Sequence, residues 1–236
     1  MFDLLWSFSH FSDVEAIFDY QPIADFLREL AAFSRVVVHD RRGMGRFGGE
    51  RGELETDVAN LAALLDATGA EHAYLAGAVV GGAIYAAFTR AHPYRVAGLV
   101  WHGAFAQAAW TPYYPWGATA NELEEYATEL AEGWGREPFA ADFVAGGAPS
   151  MAGDAASTRF FAHWMRQTSG APAAAAYNRA WDAIDLHPLL GEVRVPTLVT
   201  SRRSDPGEGA HVASLIPEPG SWRSRARTSC RSSTAA

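Results

Sequence analysis

The segment Leu75-Ala76-Gly77-Ala78-Val79-Val80-Gly81-Gly82 joins two runs of different character. Before it, Ala73 to Gly77 reads as a short strand; after it, Gly81 to Thr89 reads as an apolar helix. Its glycines have the spacing of the G-x-S-x-G turn that lifts a nucleophile above a sheet. Small residues on either side of the central position let strand and helix pack through a very tight turn. The central residue here is Val79. Valine has no lone pair, no acidic proton and no nucleophilic atom, so covalent catalysis cannot begin there. A turn of this type holds its central residue at positive φ, which is unfavourable for a β-branched side chain. Either the turn relaxes, or the fold carries a strain of roughly 1–3 kcal/mol.

Outward from this turn the chain alternates between strand and helix. Asp3 to Ser7 is a short apolar run suited to a buried strand. Ile23, Phe26, Leu27, Leu30 and Phe33 fall at helical spacing, with Pro22 near the start. Arg35 to Asp40 contains Val36-Val37-Val38, the composition of a central parallel strand. Leu54, Val58, Leu61, Ala62 and Leu65 mark an amphipathic helix that Gly69 can close. Val96 to Trp101 and Pro196 to Thr200 read as further strands. This repetition predicts an α/β fold, a mostly parallel sheet covered by helices on both faces.

From about Phe105 to Asp185 the rhythm changes. Helices are predicted over Asn121 to Trp134, Ser157 to Thr168 and Pro172 to Ile184, with no strand between them. The stretch is rich in aromatic residues, among them Phe105, Trp110, Trp116, Phe160, Trp164 and Trp181. It reads as a helical lid (residues 105–185) inserted into a core made of residues 1–104 and 186–217. Such a lid sits over the edge of the sheet where ligands bind in open α/β folds. Each aromatic residue taken singly suits a helical core; as a set, some should face a cleft.

Composition narrows the function. The chain has 236 residues, 49% hydrophobic and 19% charged, the balance of a globular domain. Its formal net charge of -8 argues against nucleic acid as a partner. No run of about 18 apolar residues occurs, so no membrane partner is expected. The start lacks the pattern of a signal peptide, and a cytoplasmic location is expected. Cys230 stands alone, so neither an internal disulfide nor a cysteine-rich metal site is expected. No H-E-x-x-H pattern occurs, and the glycines of residues 43–49 are followed by no lysine; neither zinc nor a phosphate loop is indicated. No cofactor is expected. Residues 218–236 show no periodicity and read as a disordered or aberrant tail, or alternatively as a basic interaction tail.

The sequence resembles the α/β-hydrolase fold family, especially the bacterial domains found alone or joined to nucleotide-cyclase or regulatory domains. The resemblance runs from about Asp3 to Pro217. It is carried by Ser12-Asp13-Val14-Glu15, by residues 33–45, by the turn around Val79, by residues 92–100, by Tyr114-Pro115-Trp116-Gly117 and by Val193 to Val199. What it implies is a hydrolase with a nucleophile at the position of Val79, an acid after the strand ending near Thr200, and a late histidine. Asp205 occupies the acid's loop by resemblance; it also suits a solvated turn before Pro206. Backbone N–H groups of His10 and Val80 would face an oxyanion, although Phe8-Ser9-His10 stands where relatives often carry Pro-Gly. No histidine follows His211, which falls in the helix before the expected late strand, so the base is absent too.

The expectation is therefore a hydrolase-family protein impaired in ester hydrolysis. Two alternatives differ in kind. One is a binding or sensory module whose aromatic pocket holds a small apolar ligand, with His10, Val80 and His102 at the site. The other is a hydrolase using an unconventional set such as Asp205 with His102. By resemblance the fold is shortened at both ends, which would expose sheet edges and favour self-association.

Overall fold

In the computed structural model, residues 1–8, 13–45, 53–202 and 207–217 are described, with residues 221–224 described as backbone. Six strands form one parallel sheet: β1 (Phe2–Ser7), β2 (Ser34–Val38), β3 (Ala73–Ala78), β4 (Val96–His102), β5 (Thr197–Thr200) and β6 (Ser221–Ser224). Their order across the sheet is β2-β1-β3-β4-β5-β6. Helices cover both faces, as the alternating sequence predicts.

β6 departs from the reading of residues 218–236 as a tail without structure. Ser221 to Ser224 pair in register with Thr197 to Thr200. Main-chain hydrogen bonds from a neighbouring strand hold an edge strand whatever its side-chain pattern, so hydrophobic periodicity gives no warning of it. The other tail residues, 218–220 and 225–236, lie outside the described residues.

α1 (Gln21–Ala31), α2 (Leu54–Thr68) and α3 (Val80–Ala91) follow β1, β2 and β3. α2 stops at Gly69, whose φ of 68° reverses the chain as glycine does without steric cost. α3 is buried from Val80 to Thr89. Its Gly81, Gly82, Ala83, Ala86 and Ala87 let it lie close against the sheet, while Ile84, Tyr85 and Phe88 fill the space around it. One apolar core joins β1, β3 and β4 to α2 and α3, with Leu5, Leu75, Leu99 and Trp101 at its centre.

Between β4 and β5 the chain forms α4 (Ala120–Gly133), α5 (Glu137–Gly147), α6 (Ala155–Thr168) and α7 (Ala171–Asp182), then a short α8 (His187–Leu190). Thr119 and Glu122 cap α4 reciprocally: the Thr119 N–H donates to Glu122 Oε2 at 2.7 Å, and the Glu122 N–H donates to Thr119 Oγ1 at 3.4 Å. A second apolar cluster joins α4, α5, α6 and α7 to α1 through residues such as Ile17, Leu27, Leu130, Phe160, Trp164 and Met165, while Leu189 and Leu190 of α8 belong to the first. α9 (Glu208–Leu215) precedes β6. Among the described residues no helix is long and apolar enough to cross a membrane.

Candidate functional site

The turn from β3 into α3 is strained. Val79 has φ 49° and ψ −114°, and it is the only non-glycine residue with positive φ among the described residues. Of the two outcomes the sequence allowed, the turn has not relaxed. Close packing explains why. A Cβ on Gly77 would lie 2.5 Å from the Gly82 nitrogen, and one on Gly81 would lie 2.8 Å from the carbonyl oxygens of Ser7 and Phe8. The Val79 N–H donates to the His102 carbonyl at 2.8 Å. The Val79 carbonyl accepts from Trp101 Nε1 at 2.8 Å and from the Ala83 N–H at 3.1 Å. These contacts over-determine the backbone, which is the condition under which such strain persists.

A cleft of about 320 Å³ opens beside the turn. Val79 and Val80 line it from the sheet side, together with Gly103 after β4. Phe105, Trp116 and Trp181 supply aromatic surface. Gln107, Asn178, Asp182 and Glu208 supply polar groups. Asn178 Nδ2 donates to Asp182 Oδ2 at 2.8 Å. Burial raises the Asp182 pKa above the ordinary carboxylate value, against the lowering effects of Asn178 and Arg179. The Tyr114 hydroxyl donates to Glu208 and accepts from the Ala106 N–H at 3.0 Å, fixing the base of α9 against the loop after β4. Burial, then the bond to Glu208, raises the Tyr114 phenol.

The wall behind Trp116 carries two histidines. His211 on α9 packs against the Trp116 ring with centroids 4.8 Å apart. Its Nε2 lies 3.5 Å from His187 Nε2, and His187 Nδ1 lies 2.6 Å from Asp185 Oδ1. Burial, then the neighbouring His187, lowers the His211 pKa. Among the described residues no group of three or more His, Cys, Asp or Glu side chains is arranged to hold a metal ion.

A parallel sheet in this order, with a strained strand-to-helix turn after its central β3, matches a known pattern. A family model for the alpha/beta hydrolase fold matches residues 19–218. The chain belongs to the alpha/beta hydrolase fold family. Among solved structures it is similar to a hydrolase from Oleispira antarctica, with 17% identity over 95% of this chain and 82% of that one, at a TM-score of 0.77. It is similar to a bromoperoxidase from Bacillus anthracis, with 19% identity, 94% and 82% coverage and a TM-score of 0.76. It is also similar to an enol-lactonase from Burkholderia xenovorans, with 20% identity, 94% and 82% coverage and a TM-score of 0.72. No curated protein matches the chain.

The residues named from sequence fall in different places on this hydrolase fold. Val79 sits at the turn and Val80 begins α3; both line the cleft. The Val80 N–H is among the first-turn donors that a helix leaves without an intrahelical partner. His102 ends β4, but its side chain is not among those lining the cleft; its Nδ1 lies 3.1 Å from Thr200 Oγ1. Burial, then the nearby Arg202 charge, lowers the His102 pKa. His10 and Asp205 lie outside the described residues. Sequence reasoning missed Gln107, Asn178, Asp182 and Glu208. A signal existed for two of them: Asn178, Trp181 and Asp182 stand at i, i+3 and i+4 on α7, hence on one face.

Proposed function

We propose that this alpha/beta hydrolase family member does not carry out serine-type ester hydrolysis. The observation that carries the reading is Val79 at the strained turn: the backbone keeps the shape that presents an attacking atom, and the side chain holds none. Supporting it, no histidine is among the described residues lining the cleft, and His211 packs against Trp116 and lies near His187. With no nucleophile at the turn and, among the described residues, no histidine lining the cleft, only the modest catalysis of binding and oxyanion stabilisation is left.

A second reading follows from the cleft. Its volume and aromatic lining suit a small ligand with an apolar body, held without chemistry, as in a binding or sensory module. On this reading residues 105–185 act as the lid, since Phe105, Trp116 and Trp181 all come from that segment.

Turnover of short p-nitrophenyl esters tests the first reading, in the unaltered chain and in Val79→Ser. The unaltered chain should show no saturable hydrolysis above the buffer rate. Val79→Ser should add little, because among the described residues no histidine lines the cleft to activate the hydroxyl. Saturable hydrolysis by the unaltered chain overturns the reading, and strong rescue by Val79→Ser overturns the claim that the base is missing.

A further inference from the structure

Among the described residues the cleft's charge is one-sided. Asp182 and Glu208 line it, and among the described residues no arginine or histidine does. The described arginines near it have other roles. Arg179, beside Asn178 on α7, pairs with Glu124 at 2.7 Å. Arg202 donates to the carbonyls of Gly146 and Gly147. Asn178 holds the Asp182 carboxylate in place from within the same helix face.

Three aromatic rings share this space. Phe105, Trp116 and Trp181 line the same cleft as the two carboxylates. An indole face attracts a positive charge through its quadrupole, most strongly where water is displaced. A partly buried carboxylate gains from the same charge, because the cation offsets the loss of water around it. Aromatic rings and carboxylates in one cleft therefore discriminate by charge as well as by shape, and they disfavour an anion twice.

We propose that the cleft beside Val79 selects a small organic cation, a substituted ammonium group with an apolar shell, held by Asp182 and the rings of Trp116 and Trp181. This rests on the reading of the cleft as a ligand site and specifies its ligand class. A quaternary ammonium is the favoured form: its methyl groups pack on the rings, and its charge is diffuse enough to leave water. Asp182 sets the charge preference, and the two indoles set the preference for alkylated over bare ammonium.

The test compares isosteres on the full chain by titration calorimetry. Choline is the cationic probe, 3,3-dimethylbutan-1-ol its neutral counterpart of the same shape, and 3,3-dimethylbutanoate the anion. The cation should bind roughly tenfold tighter than the neutral isostere, and the anion should not bind. In Asp182→Asn the cation's advantage should fall to about twofold, with the neutral isostere unaffected. Trp116→Leu should weaken the cation more than the neutral compound. If the neutral isostere binds as tightly as choline, the cation assignment is overturned while the ligand-site reading stands. If neither binds, both fail. Should a variant unfold, the isostere comparison on the unaltered chain still decides.

Discussion

The indole Nε1 of Trp101 donates a hydrogen bond to the backbone carbonyl of Val79 at 2.8 Å. The same indole fills the space beside Gly82, where an added Cβ would lie 1.9 Å from Trp101 Cδ1. Trp101 is fully buried. A single side chain thus ties the end of β4 to the strained residue before α3, and it does so only because position 82 has no side chain of its own.

Gly82→Ala should therefore be severe. The added methyl meets a rigid, buried ring rather than the end of a flexible chain, so the ring or the helix must move. A loss of about 3 kcal/mol is expected, at the upper end of ordinary overpacking. Urea denaturation followed by tryptophan fluorescence reads it. A loss below about 0.5 kcal/mol would mean that α3 and β4 separate easily.

Val79→Gly should act in the opposite direction. Glycine reaches φ 49° without the clash that a β-branched side chain suffers there. Relief of about 1–3 kcal/mol of strain outweighs glycine's greater unfolded-state entropy of about 0.5–1 kcal/mol. A net gain of about 1 kcal/mol is expected in the same denaturation experiment, after the lost contacts of the part-buried side chain. Destabilisation would show that Val79 sits there without strain.

Tyr177 on α7 links the helical segment to the loop after β2. Arg41 Nη1 donates to its hydroxyl at 2.5 Å, and the guanidinium carbon lies 5.3 Å from its ring centroid. Arg41 and Tyr177 are both buried. Tyr177→Phe keeps the ring and removes one acceptor from a buried cation, so a loss of about 1–2 kcal/mol is expected. Thermal melting checks it, and an unchanged midpoint would mean that the guanidinium finds an equal acceptor elsewhere.

His39, after β2, gives stability a pH dependence. Burial, then the charge of Arg41, lowers its pKa from 6.5 to about 4. Its Nε2 is buried without a hydrogen-bond partner among the described residues. Between pH 6.5 and 4 the unfolded chain takes up a proton that the folded chain refuses. The contribution is complete above pH 6.5 and is lost as pH falls toward 4, by up to about 3 kcal/mol. Denaturation curves at several pH values should be flatter over this window in His39→Leu than in the unaltered chain. Parallel curves would remove His39 from the account.

The strands were legible from their apolar runs, but not their places in the sheet: Val36-Val37-Val38 reads as a central strand, whereas β2 lies at the sheet edge with its three valines only part-buried, and β4 is central. Val36-Val37-Val38 and Leu99-Val100-Trp101 belong to parallel strands, and their apolar runs mark β2 and β4 to within two residues at each end. α5 was not read, because Pro138 opens it and Gly146-Gly147 closes it, leaving a short apolar stretch with little periodicity. β6 is polar and is held by main-chain bonds. At the site, Val79 could be read as chemically inert, but whether its turn would relax depended on Trp101 and Gly82 meeting in space. Trp181 was visible among the aromatic residues; its neighbours Asn178 and Asp182 needed the helix face to bring them together. Glu208 comes to the cleft with α9, a placement that no local pattern announces.

The central claim concerns an atom: no nucleophile stands at the turn between β3 and α3. Intact-protein mass spectrometry after incubation with a fluorophosphonate, a reagent that traps activated hydroxyls, tests it most directly, with peptide mapping to locate any adduct. The mass should be unchanged, and the peptide spanning residues 73–90 should be unmodified. A stoichiometric adduct on any residue lining the cleft would contradict the account.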